Sequence, residues 1–200
     1  MKKYKNIYIL GIGGTGMSSI AKYLVQQNIN VSGYDQRKSF ITNKLKNDGI
    51  NVDFDLDSLI YKKNVLYIYS SAVKVNETPL KEFLHNENVM SRANYLENLS
   101  KENKIIGVTG THGKTSTTAL LAHIFHYNNR NVSYIYGGVT SFHGIGGHYG
   151  EREEPIILET DEAFNTFKNL ELDDLLVTNI DSDHLDFFGN IENLIDAFQY

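Results

Sequence analysis

"VTGTHGKTSTTALLAHIF", Val108 to Phe125, joins the end of an apolar run to an amphipathic stretch through a loop carrying Gly110, Gly113 and Lys114. It ends like a nucleotide-binding loop, yet the Walker spacing G-x-x-x-x-G-K-[ST] would need glycine at 108, where valine stands. The glycines present are Gly107 and Gly110, which leaves the shorter pattern G-x-x-G-K-T. The context is still that of a phosphate loop, because "KIIGV" before it reads as a strand and "KTSTTALLAHIFHYNN" after it as a helix. Backbone N–H groups from Gly110 to Thr115 are expected to cradle phosphate oxygens. Lys114 would neutralise β/γ charge, and Thr115 would offer its hydroxyl to Mg2+. The competing reading is a helix start rich in threonine by chance. A strand, a glycine loop and a helix in that order belong to an α/β fold.

The same alternation runs through the first hundred residues. "NIYIL" (6–10), "NVSGY" (30–34) and "VLYIYS" (65–70) read as strands. Between them "GMSSIAKYLVQQN" sets Met17, Ile20, Leu24 and Val25 at helical spacing, and "FITNKLKND" repeats the pattern more weakly. Such alternation implies a parallel sheet with right-handed crossovers. "SRANYLENLSKENK" (91–104) reads as a helix with Ser91 as its N-cap, running into a polar stretch. We place the domain boundary there. Residues 1–102 form a Rossmann-like domain, and residues 103–200 the first part of a P-loop-type α/β central domain. Beyond the phosphate loop, "NVSYIYGG", "PIILE" (155–159) and "DLLVTNI" (174–180) read as strands. Gly137 to Gly150 holds six glycines and no obvious element, and reads as a loop shaped around something. "NIENLIDAFQY" opens a helix capped by Asn190.

Three further segments could carry chemistry. "YILGIGGTGMSSIA" fits G-x-G-x-x-G with Gly11, Gly13 and Gly16, directly after a strand and opening a helix. The glycines allow a tight turn, and the helix N-terminus offers free N–H groups to a pyrophosphate. Asp35 ends the second strand where an acid would grip a ribose hydroxyl. The pattern does not distinguish NAD from a UDP-sugar. "ILETDEAF" puts Glu159, Asp161 and Glu162 at the end of a strand, and a hard cation bound to phosphate wants one or two such oxygens. "TNIDSDHLDFFGN" follows another strand with Asp181, Asp183, His184 and Asp186, a cluster suited to metal or phosphate. His112 lies inside the phosphate loop, whereas His123 and His126 read as ordinary helix residues. The 13 Tyr and 10 Phe read as core filling. Loops after successive strands of one sheet thus supply a phosphoryl-transfer site, and the first domain supplies a second, separate diphosphate site.

Bulk properties narrow the class. A formal charge of −5 argues against a nucleic-acid partner, and the absence of cysteine excludes disulfides and thiolate metal sites. The basic-then-apolar start "MKKYKNIYIL" is too short in its apolar part for a signal peptide, and no apolar stretch spans a bilayer. A cytoplasmic protein is expected.

In the order "GIGGTGMSSIA", "YSSAVKVNETPL", "SRANYLENL", "GVTGTHGKTSTT", "YGGV", "ETDE" and "TNIDSDHLDFFGN", the whole chain resembles the ATP-dependent Mur ligases of peptidoglycan synthesis. That family's phosphate loop is G-T-x-G-K-[ST], which accounts for the short spacing. The histidine within it is similar to the alanine-adding branch and its tripeptide-recycling relative. The resemblance implies that the first domain binds UDP-N-acetylmuramate through Gly11, Gly13, Gly14, Thr15, Gly16 and Met17, with Asp35, Ser70, Ser71 and Arg92 as further candidates. It implies that Gly110, Thr111, His112, Gly113, Lys114, Thr115 and Ser116 bind ATP. Thr115 and Glu159 would hold one Mg2+ and His184 would help place a second, leaving Lys114, Glu159 and His184 as the catalytic set. The implied reaction phosphorylates the substrate carboxylate and then lets the L-alanine amine displace phosphate. Two departures bear on substrate identity: Ala163 replaces a polar or aromatic residue, and Gly146–Gly147 replaces the usual Asn-Ala. Members of the family are longer, with the rest of the central sheet and a third domain. These residues are therefore expected to be a fragment with an uncovered sheet edge and negligible turnover. Competing readings are a nicotinamide-dependent dehydrogenase and a non-catalytic UDP-sugar or ATP-binding remnant.

Overall fold

Strand β1 (Asn6–Leu10) is apolar on both sides, and this decides its place. Ile7 and Ile9 pack into one core, while Tyr8 and Leu10 pack into another on the opposite face. β4 (Val65–Tyr69) divides likewise, Leu66 and Ile68 against Tyr67. Such strands are stable only with both faces covered, as at the centre of a parallel sheet. A computed structural model, which describes residues 4–57, 59–160, 169–181 and 192, pairs them in parallel with Asn6 opposite Val65.

With β2 (Asn30–Tyr34), β3 (Asn51–Asp53) and β5 (Val89–Ser91) they form a five-stranded parallel sheet, order β3-β2-β1-β4-β5. The chain leaves β1 toward β2 and returns to its other side at β4. The carboxyl ends of β1 and β4 therefore open the crevice where such sheets take ligands. α1 (Thr15–Val25) starts from the glycine loop, and α2 (Phe40–Asn47) from a capping box in which Ser39 and Thr42 bond reciprocally. α3 (Arg92–Glu102) begins as expected, with the Ser91 hydroxyl accepting from Asn94 N at 3.2 Å. β3 and β5, three residues each, were not anticipated; they are too short to show a period.

The second sheet contains β6 (Ile105–Thr109), β7 (Ser133–Thr140), β8 (Gly144–His148), β9 (Ile156–Glu159) and β10 (Asp174–Val177). Its order is β10-β6-β9-β7-β8, with β8 antiparallel to β7 and the other pairings parallel. α4 (Lys114–Tyr127) follows the phosphate loop. The glycine-rich segment is largely strand, not loop. Gly137 to Thr140 extends β7, and Gly144 to His148 is β8. At Gly138, Gly146, Gly147 and Gly150 neighbours come too close for a side chain. A Cβ on Gly146 would lie 2.3 Å from the Tyr136 ring, and one on Gly147 only 2.0 Å from Ser19 O of α1.

α1 is thus covered from both sides. Its Ile20, Tyr23 and Leu24 share one core with Ile135, Ile145, Ile156 and Leu158 of the second sheet. The Tyr23 and Tyr149 rings meet edge to face at 5.6 Å. On the hairpin's other side, His123 and His126 are more than plain helix surface. They cluster with His143 and His148 beside Tyr134, whose ring stacks on His143 at 4.5 Å and on His148 at 5.2 Å, while His123 joins through His143. Burial, then His126, His123 and His148, lower the pKa of His143 from 6.5 to about 4. β10, at the edge of the described sheet, is exposed along its length, including Leu175, Leu176 and Val177. Among the described residues no helix is long and apolar enough to cross a membrane.

Candidate functional site

The phosphate loop is built on two glycines with positive φ. Gly110 (φ +121°) has no room for a side chain, since a Cβ would meet Thr178 Oγ1 at 2.4 Å and Asn179 O at 2.7 Å. Gly113 (φ +83°) caps α4 in the left-handed region. Thr117 N is the first to find a helical acceptor, Gly113 O at 2.9 Å. The helix offers no acceptor to the N–H groups of Lys114, Thr115 and Ser116, and its positive end faces the loop. Lys114 Nζ folds back onto Gly110 O (2.7 Å) and Thr111 O (3.2 Å), which sets an ammonium over the cradle.

The cradle is narrower than the sequence suggested. The N–H of Thr111 donates to Asn179 O at 3.1 Å, and that of His112 to Asn179 Oδ1 at 3.0 Å. Asn179 Nδ2 and Thr178 Oγ1 in turn donate to His112 O at 2.9 and 2.7 Å. Thr111 and His112 are therefore held from behind by the segment after β10, and their N–H groups do not point into the cradle. This clamp was missed. The motif was noticed for Asp181, Asp183, His184 and Asp186, whereas its first two residues do the gripping. Asp181 meets the loop through its backbone: its N–H donates to Thr111 Oγ1 at 2.9 Å, and its carbonyl oxygen accepts from the same hydroxyl at 3.3 Å. His184, Asp183, Asp186, Asp161, Glu162, Ala163 and the Asn190-capped helix start lie outside the described residues.

Glu159, at the end of β9, faces the start of α4. Thr115 Oγ1 donates to Glu159 Oε1 at 2.8 Å, and Gly137 N of β7 donates to Glu159 Oε2. A hydroxyl and a carboxylate side by side at a phosphate cradle are a hard-oxygen donor pair suited to Mg2+, which takes one or two protein oxygens and completes its shell with phosphate and water. Among the described residues no group of three or more acids and histidines gathers as a metal cage.

Across from this pair lies the first glycine loop. Gly11 (φ +80°) makes the turn and donates to Tyr34 O at 2.8 Å. Gly13 N donates to Asp35 Oδ2 at 2.8 Å, while Asp35 Oδ1 accepts from Arg37 N at 3.1 Å. Gly11, Gly13 and Asp35 thus shape the loop from behind. Asp35 grips the loop amide through one of its two carboxylate oxygens. Gly14, Thr15, Gly16, Met17, Ser70, Ser71 and Arg92 line a cleft of about 310 Å³ together with Lys114, Gly137, Glu159 and Thr160. The Arg92 guanidinium lies against Gly16, 3.1 Å from where a Cβ would stand. The two sites expected to be separate are therefore one cleft. Gly137 is the junction: a Cβ there would be 3.5 Å from Thr15 Oγ1, 3.6 Å from Glu159 Oε2 and 4.0 Å from Gly16 N.

Residues 6–104 match the family model described as "Mur ligase family, catalytic domain", and residues 108–199 match "Mur ligase middle domain". The chain is 34% identical over 203 residues to the UDP-N-acetylmuramate–L-alanine ligase of Cytophaga hutchinsonii, covering 96% of this chain and 44% of that protein. Among solved structures it is similar to the UDP-N-acetylmuramate–alanine ligase of Thermotoga maritima. The TM-score is 0.82 at 28% identity, over 97% of this chain and 46% of that one. It is also similar to a UDP-N-acetylmuramate:L-alanyl-γ-D-glutamyl-meso-diaminopimelate ligase from Neisseria meningitides (TM-score 0.81, 26% identity, 98% and 67% covered). The chain spans under half the length of the curated relative it matches.

Proposed function

We infer the function from one premise: the chain belongs to the Mur ligase family. Residues 1–102 bind UDP-N-acetylmuramate, residues 103–200 bind ATP with Mg2+, and the protein joins L-alanine to the bound carboxylate in making peptidoglycan precursor. The observation that carries this reading is the single cleft, in which a diphosphate-type loop and a phosphate-transfer loop face each other across Gly137. A substrate held by its UDP part at Gly14 to Met17, with its carboxylate reaching toward Lys114 and Glu159, would meet the terminal phosphate of ATP there.

The residues present divide the work. The α4 N-terminus and Lys114 hold the phosphates and offset the charge that grows as the carboxylate oxygen takes the γ-phosphoryl and ADP leaves. The amine then attacks the acyl carbon, phosphate departs with the bonding pair, and the amine's proton goes to solvent. Thr115 and Glu159 would hold Mg2+, which supplies further charge neutralisation when bound; His184 is assigned to a second ion on resemblance alone. No protein nucleophile is needed.

Calorimetric titration with UDP-N-acetylmuramate, a non-hydrolysable ATP analogue and NADH tests the reading. Binding of the first two without NADH is expected, and binding of NADH alone would sink it. A second reading differs only in the acceptor. Likeness to the tripeptide-adding ligase is nearly as strong as to the alanine-adding one, and comparing L-alanine with the tripeptide as acceptor separates them.

A further inference from the structure

Ser19 sits in the middle of α1, fully buried, where a polar group costs stability unless it is bonded. Its hydroxyl lies 2.8 Å from Thr15 O in its own helix and 2.7 Å from Tyr136 O in β7, so its one proton is shared between α1 and the second sheet. Beside it, Gly147 of β8 comes so near that a Cβ would stand 2.0 Å from Ser19 O. This is backbone against backbone, which no rotamer change relieves. The strand residue that Ser19 holds begins a short run that reaches both loops of the cleft. Tyr136 takes the Ser19 bond, Gly137 donates to Glu159, and Gly138 lies where a Cβ would be 2.6 Å from Thr115 Cγ2. The N-terminus of the same α1 carries Thr15 and Gly16 of the opposite loop. Any slip of α1 along the hairpin therefore changes the distance between the two anion-binding loops.

We propose that Ser19 and Gly147 are positioning residues that lock α1 to the β7–β8 hairpin, making Tyr136–Gly138 a fixed spacer between the UDP-side loop and the phosphate-transfer loop. Its meaning for catalysis rests on the ligase reading, whereas the lock itself does not. The sheets behave as one block, and closure around substrates falls to parts of the enzyme other than this joint.

Because the chain has no cysteine, nitroxides at Asn47→Cys in α2 and Tyr127→Cys in α4 report the separation of the two halves by double electron–electron resonance. One narrow distance is expected. Gly147→Ala should shift its mean by at least about 1 Å, the gap between a 2.0 Å contact and the 3.0 Å that real Cβ atoms respect. Ser19→Ala should broaden it. Ser18→Ala is the matched control: Ser18 is equally buried but bonds only to Thr15 O (2.9 Å), and it should leave the distribution alone. In Gly147→Ala each ligand alone should bind as before, while UDP-N-acetylmuramate binds the ATP-analogue-loaded chain several-fold more weakly. A broad distance in the parent overturns the proposal, as does a distribution unchanged in Ser19→Ala and Gly147→Ala. If Gly147→Ala does not fold, the comparison of Ser19→Ala with Ser18→Ala decides. If the parent binds neither ligand, the ligase reading fails while the distances still judge the lock.

Discussion

Acid should loosen the hairpin that carries the spacer. His143 bonds Tyr136 through Nδ1 at 3.1 Å and stacks on Tyr134; His123 and His126 of α4 and His148 of β8 also surround it. Burial first, and then these three imidazoles, lower its pKa from 6.5 to about 4. The unfolded chain therefore takes up this proton before the folded one does. The contribution is fully present above pH 6.5 and is lost as pH falls through about 4. At full effect the gap is worth roughly 3 kcal/mol. The imidazole keeps part of its hydration, and solvent screening reduces this to about 1–2 kcal/mol. His143→Phe keeps the stacking and removes the titration. Urea unfolding followed by circular dichroism at pH 7.5, 6.5, 5.5 and 4.5 gives the stability of both proteins. Carboxylates contribute equally to each, so the difference is read. The parent should lose about 1–2 kcal/mol more than the variant between the extremes. Equal losses, or a larger loss in the variant, would refute the reasoning.

Other perturbations test other links. Gly110→Ala forces a side chain onto Thr178 and Asn179 at a left-handed φ, so a stability loss of about 1–3 kcal/mol and abolished ATP-analogue binding are expected, by thermal melting and calorimetry. Asn179→Ala removes two side-chain bonds to His112, together about 1–2 kcal/mol of loop order, and ATP-analogue affinity should fall about tenfold with little change in melting temperature. In Glu159→Gln one of two partners, Thr115 Oγ1 or Gly137 N, must face an amide nitrogen, and the gain in nucleotide affinity on adding Mg2+ should largely vanish. Ile9→Ala opens a cavity in the central strand of the first sheet and should cost about 2–5 kcal/mol in urea unfolding without altering the cleft.

What could be read from the sequence is what local spacing controls. Strand, glycine turn and helix are contiguous in both loops, so apolar runs and glycine positions were enough to find β1 with α1 and β6 with α4. Ser91 was legible as a cap for the same reason, since its bond to Asn94 spans three residues. The misses share a cause of the opposite kind. Asn179 reaches His112 across 67 positions, and Ser19 reaches Tyr136 across 117, distances over which a pattern in the chain carries no signal. The bond from the Gly13 amide to Asp35 spans 22 positions and was likewise not legible, although both residues were singled out.

The hairpin is the instructive failure. Six glycines within fourteen residues suggested a loop shaped around something, yet most of them lie in extended strand with α1 or Tyr136 pressed against them. Glycine signals close approach without saying what approaches, and here it is another part of the same chain. That difference changes the functional argument. A glycine loop around a ligand would let the two anion sites move independently and meet only when filled. A glycine-lined seat for α1 fixes them before any ligand arrives. The ordering cost of bringing two charged groups to one place is then met during folding, when the buried contacts of the shared core can offset it. The same choice makes the site sensitive to one added methyl at position 147, far from any phosphate.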